Sequence, residues 1–236
     1  MLEEVFKSGR LEMSASPLAD LADAGAWGDL TVNRILAVVA VGLMILSLPD
    51  LLRLVPHLLY SFDRSRGSVE LEHSLGTART RNVAALSFTL PFCLLLDRYA
   101  LVRPRFWEHI PASWSAPAVL GLLAAFLLVR LLCYALFRPR RLGSEEFATL
   151  KHLPYNYFIL MAALTLLTAG ACSVFGVPDG TVRTVLMWEI AAVWLFTWVR
   201  SSQFLAGHGI GFPTFLYLCG LEIIPAALLV AVVMFF

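Results

Sequence analysis

The sequence predicts an all-α, polytopic transmembrane helical bundle of about six spans, on three observations. Hydrophobic residues make up 59% of the chain and charged residues 15%, against roughly 45–50% and roughly 25% in a soluble domain. The mean hydropathy is +0.76. Mostly apolar runs recur along the chain, and about 20 such residues, rising about 1.5 Å each, cross a hydrocarbon core about 30 Å thick. Twelve prolines and fifteen glycines predict kinks, which membrane helices tolerate when neighbours satisfy the freed backbone.

Residues 1–30 carry Glu3, Glu4, Glu12, Asp20, Asp23 and Asp29 against Lys7 and Arg10. They lack the basic start and adjoining apolar stretch of a cleaved signal and are expected to form an interfacial or loosely ordered segment. Residues 31–236 read as a single transmembrane helical domain. The first span is expected near 31–50, with a kink or an interfacial turn at Pro49-Asp50. The second, near 82–102, has only a short clean apolar stretch, contains Pro91 and must take in Asp97 and Arg98 to cross; a re-entrant segment is its alternative. The third (112–137) is long but encloses Arg130, and the fourth (153–177) is clean. The fifth (182–200) encloses Glu189 and ends in Arg200, and the sixth (212–236) encloses Glu222 and Pro225.

Lys and Arg in short loops orient such a bundle. Arg64, Arg66, Arg79, Arg81, Arg138, Arg140, Arg141, Lys151 and Arg200 fall on one side. Lys7, Arg10, Arg98, Arg103, Arg105 and Arg183 fall on the other. Nine against six puts both termini on the non-cytoplasmic side. Cys93, Cys133, Cys172 and Cys219 each lie in an apolar run with no CxxC spacing, so they are expected as free packing residues, with neither disulfides nor a cysteine metal site.

A charge at mid-membrane costs roughly 2.5–3.5 kcal/mol on insertion scales, which singles out Glu189, Glu222 and Arg130. The turn between the fifth and sixth spans centres near Ala206. Glu189 lies 17 residues before it (206 − 189) and Glu222 lies 16 after it (222 − 206), so an antiparallel hairpin sets both carboxylates at nearly one depth. Arg130, about 12 Å inside its span end, is the natural partner of one of them. Paired carboxylates at one depth share a proton or coordinate a cation, because two ionised ones repel; alternatively, an Arg–Glu pair only fixes helix register. Pro225 removes an amide donor one turn from Glu222. Arg200 shares the helix face of Glu189, eleven residues on, though Val193 and Phe196 interrupt that stripe.

The histidines, among them His57, His152 and His208, fall at span edges rather than facing one another inside the bundle, as haem or metal ligation requires. No metal or cofactor is expected. There is no Gly-rich phosphate loop, HExxH or GxSxG, and the GHGIG stretch at 207–211 follows no strand. A net charge of +1 gives no footprint for nucleic acid.

Arg200-Ser201-Ser202, a short glycine-containing turn, and then Phe215-Leu216-Tyr217-Leu218-Cys219-Gly220-Leu221-Glu222-Ile223-Ile224-Pro225 resemble the LYLC-x-LEI-x-P signature of a Bacteroidota integral-membrane family catalogued as domain of unknown function 4271. The resemblance implies a multi-pass protein of the bacterial inner membrane, with Tyr217, Glu222 and Pro225 in its motif and Arg200 upstream. It implies no activity. The expected function is a non-enzymatic accessory or scaffold subunit of a cell-envelope process, with the lipid bilayer and a second membrane protein or a second copy as partners. The alternative is a small proton- or cation-coupled transporter or channel that uses Glu189 and Glu222. A membrane enzyme working at the interface through His152, His208 or Glu222 stands third.

Overall fold

The computed structural model describes residues 24–63, 75–102, 107, 110–136 and 144–207, with isolated positions at Gly220, Ile223, Ile224, Ala227 and Ala231. Among the described residues all regular structure is helical: α1 (Ala24–Asp29), α2 (Thr31–Asp63), α3 (Leu75–Arg98), a 3-10 turn (Ala112–Trp114), α4 (Ser115–Leu136), α5 (Ser144–Val174) and α6 (Asp179–Gly207). Four stretches are long and apolar enough to cross a membrane: Thr31–Pro56, Ala112–Leu136, Leu150–Val174 and Asp179–Phe204. The expected sixth span, with Tyr217, Cys219, Glu222 and Pro225, lies outside the described residues, as does the segment before Ala24.

The helix does not end at Pro49-Asp50, where a kink or an interfacial turn is expected: α2 continues through Pro49 and Pro56 to Asp63. Each proline removes one amide donor. Packing supports the helix between them: Leu54 is buried against Ala84, Ala85 and Ile159. Residues 82–98 belong to one 24-residue helix, α3 (Leu75–Arg98), with Pro91 inside it, and residues 99–102 form the turn after it; α3 is not among the four helices apolar enough to cross a membrane. At helical rise α3 is about 36 Å long.

α3 is the axis of the bundle, packing along α2, α4 and α5, while α6 packs on α5. Each of the main apolar clusters contains residues of α3. Phe88, Phe92, Cys93 and Leu96 meet Trp107, Val119 and Ala162; Ala84 and Ala85 meet Leu54 and Ile159. Leu95 and Tyr99 meet Ala169, Val182 and Leu186, and Leu94 meets Ala40 and Ala116. Phe92 and Phe158 pack edge-to-face at 5.5 Å between ring centroids, a preferred aromatic geometry.

Large apolar side chains face outward while several polar ones lie inside, the reverse of the usual arrangement in a soluble protein. Val38, Leu46, Leu136, Leu167 and Trp188 are exposed, whereas Asn33, Arg81, Asn156, Thr165 and Ser201 are buried. An apolar exterior this extensive exceeds what a soluble monomer shows to water. Lipid tails are as apolar as these side chains, so a bilayer solvates the surface at no cost. Two interior hydroxyls are satisfied locally: Thr165 Oγ1 donates to the carbonyl of Met161 at 2.9 Å and Thr197 Oγ1 to that of Val193 at 2.8 Å, whereas the buried Ser201 hydroxyl has no partner among the described residues. Cys93, Cys133 and Cys172 are free thiols.

Candidate functional site

The α5–α6 hairpin sets the depth of Glu189. α5 ends in a Schellman turn: Val177 N–H donates to the Cys172 carbonyl and Gly176 N–H to that of Ser173. Gly176 adopts φ 65°, a left-handed conformation that costs a residue with a Cβ roughly 1–2 kcal/mol. The Pro178 carbonyl then accepts from Thr181 and Val182 to start α6. This tight reversal lays α6 back along α5 and brings Glu189 opposite Thr168, whose Oγ1 donates to Glu189 Oε1 at 3.3 Å. Glu189 Oε2 is buried and accepts nothing among the described residues. Glu189 lies ten residues into α6 (189 − 179), about 15 Å from its start at helical rise.

Arg130 sits on α4, its guanidinium 5.6 Å from the centre of the Tyr134 ring and its Nη2 donating to the Tyr134 hydroxyl at 3.4 Å. Tyr134 in turn meets Phe147 of α5 at 6.1 Å. Among the described residues the one ion pair is Arg34–Asp29, so no ion pair joins Arg130 to Glu189. Arg200, near the end of α6, lies over the Phe196 ring at 5.3 Å and donates from Nη1 to Gln203 Oε1 at 3.2 Å. Phe196 meets Tyr157 edge-on at 5.7 Å. The structure therefore places Glu189 against Thr168 and Arg200 against Phe196, in separate surroundings along one helix. Tyr217, Glu222 and Pro225 lie outside the described residues.

Two polar features stand out beyond the expected site. The sequence suggests a loop position for Arg81, yet it lies in α3 and is 1% exposed. Its Nε and Nη2 donate to Asn82 Oδ1 at 3.3 and 3.2 Å. The signal was present: Arg81, Ala84, Ala85, Phe88, Phe92, Leu95, Leu96 and Tyr99, all buried, follow a helical period, so Arg81 continues the buried face. The second feature centres on Asp97, whose Oδ2 accepts from Trp27 Nε1 at 2.7 Å and from Ser115 Oγ at 3.0 Å. One carboxylate thereby links α1, α3 and α4. Arg98 lies 5.9 Å from the Trp27 ring and 5.6 Å from that of Tyr99. Seventy residues separate Trp27 from Asp97, and nothing local in either segment signals the contact.

Among the described residues no group of three or more His, Cys, Asp or Glu side chains is placed to hold a metal ion. No family model, curated protein or solved structure matches the chain.

Proposed function

We propose that the chain is a multi-pass protein of the bacterial inner membrane, of the Bacteroidota family that its C-terminal motif resembles. In this proposal it is a single bundle of about six spans and acts without catalysis, as an accessory or scaffold subunit of a cell-envelope process. The observation that supports this most is the Thr168–Glu189 hydrogen bond. A mid-helix carboxyl engaged by the neighbouring helix ties α5 to α6, as polar side chains do between membrane helices, at about 0.6 kcal/mol on average. The bilayer and a second membrane protein or a second copy are the partners.

A specific observation keeps a second proposal in view. Among the described residues Glu189 Oε2 is buried without a donor, and an intramembrane carboxyl with spare acceptor capacity suits a proton- or cation-coupled transporter. Affinity purification of the full chain in mild detergent, with identification of co-purifying proteins, tests the first proposal, with Glu189→Gln as the discriminating variant. A scaffold keeps its stoichiometric partner in this variant, because glutamine still accepts from Thr168. A wild-type chain that recovers no stoichiometric membrane partner, yet moves protons or cations in liposomes until Glu189→Gln stops it, overturns the scaffold in favour of the transporter.

A further inference from the structure

The short helix α1 is joined to α2 through one non-helical residue, Leu30, and Trp27 carries its described ties to α3. The indole donates to Asp97, the guanidinium of Arg98 lies beside the ring, and the ring packs beside Ala40, Leu94 and Ala116. The Trp27 carbonyl meanwhile accepts from Asn33 Nδ2 at 3.1 Å. Asn33 is fully buried, and its Oδ1 accepts nothing among the described residues.

We propose that α1 is a releasable strap, latched by Trp27 on Asp97, that closes this end of the bundle over Asn33. Two opposed terms make the strap bistable. The indole–carboxyl hydrogen bond at 2.7 Å, together with the apolar packing of the ring, favours the closed state. A buried acceptor without a donor is costly, and water supplies that donor as soon as α1 lifts, so Asn33 favours the open state. The elbow does not depend on the latch. Arg34 holds Gly28 through its carbonyl at 2.7 Å and Asp29 through an ion pair at 2.8 Å, so α1 pivots about Leu30 and stays attached to α2.

Amide hydrogen exchange of the full chain in lipid nanodiscs tests this, comparing wild type with Trp27→Phe, which keeps an aromatic ring and removes the indole donor, and with Asp97→Ala, which removes the acceptor. The expected result is at least tenfold faster exchange across residues 24–33 in both variants, with α5 and α6 unchanged. That pattern marks opening of the strap alone. Unchanged exchange at 24–33 in both variants overturns the latch. Acceleration spread equally through α5 and α6 also overturns the proposal, because Asp97 would then support the whole bundle. If Trp27→Phe fails to fold, Asp97→Ala alone decides between these outcomes.

Discussion

Replacing Ile159 by Ala measures what solvates this protein when it comes apart. Ile159 is 0% exposed and sits where α2, α3 and α5 converge, against Leu54, Ala84, Ala85, Leu51 and Phe158. In a soluble core such a truncation costs about 2–5 kcal/mol, the sum of a water-to-oil transfer loss and a cavity loss. Three lost carbons at about 0.8 kcal/mol each put the transfer part near 2.4 kcal/mol. In a bilayer that part vanishes, because a separated helix shows its side chain to lipid tails rather than to water. The cavity remains, and the expected cost is about 1–2 kcal/mol. Leu167→Ala, at 72% exposure, leaves no cavity and should cost about 0–0.3 kcal/mol by the same reasoning. Reversible unfolding in mixed micelles, read by helical circular dichroism and by tryptophan fluorescence, gives both values. A cost for Ile159→Ala of about 4 kcal/mol or more would restore the water reference state and refute a bilayer-solvated exterior. Equal losses at the two positions would refute the assignment of inside and outside.

Three further outcomes are expected. Ala100 adopts φ 47° in the turn that ends α3, where Leu101 N–H reaches back to the Leu96 carbonyl, so Ala100→Gly should stabilise by about 0.5–1 kcal/mol; a loss in thermal unfolding would show that the methyl group packs usefully. Thr168→Val removes the donor to Glu189 and should cost about 0.5–1.5 kcal/mol, whereas Glu189→Gln keeps an acceptor and should cost under about 0.5 kcal/mol; the reverse order in the same unfolding assay would break the link between the two residues. Topology reporters fused after Phe236 and near Gly143 should read non-cytoplasmic and cytoplasmic respectively, and the same signal at both would rule out six spans.

Some of this architecture could be read directly from the residues, and the remainder could not, for physical reasons. The four apolar helices were legible because lipid contact demands sustained hydropathy over about 20 residues. α3 read as the weakest span because it faces other helices on most sides, and protein contact relaxes that demand. Helix ends went astray at Asp63 and Ser144 because α2 and α5 extend well past their most apolar windows, where hydropathy carries no signal. At the candidate site, counting residues places Glu189 along α6, but position along a helix leaves rotation open. The partnership with Thr168 depends on rotation about two helix axes, which the hairpin turn fixes only in three dimensions. Arg81 shows the converse: its period was legible, and treating its neighbours as a loop concealed it.

The composition of the central helix bears on how the chain is made. α3 carries Arg79, Arg81, Asn82, Asp97 and Arg98 among its 24 residues, and insertion machinery charges each such residue up to about 2.5–3.5 kcal/mol as it nears the bilayer centre. On leaving the ribosome α3 is therefore a poor passenger by itself. α2, already synthesised, offers it one apolar wall through Leu54, but the other walls, Val119 of α4 and Ala162 of α5, arrive later. α3 is not among the four helices apolar enough to cross a membrane by themselves, so its cover comes from its neighbours. A chain that stalls before α5 is left with an incompletely covered, charge-bearing helix.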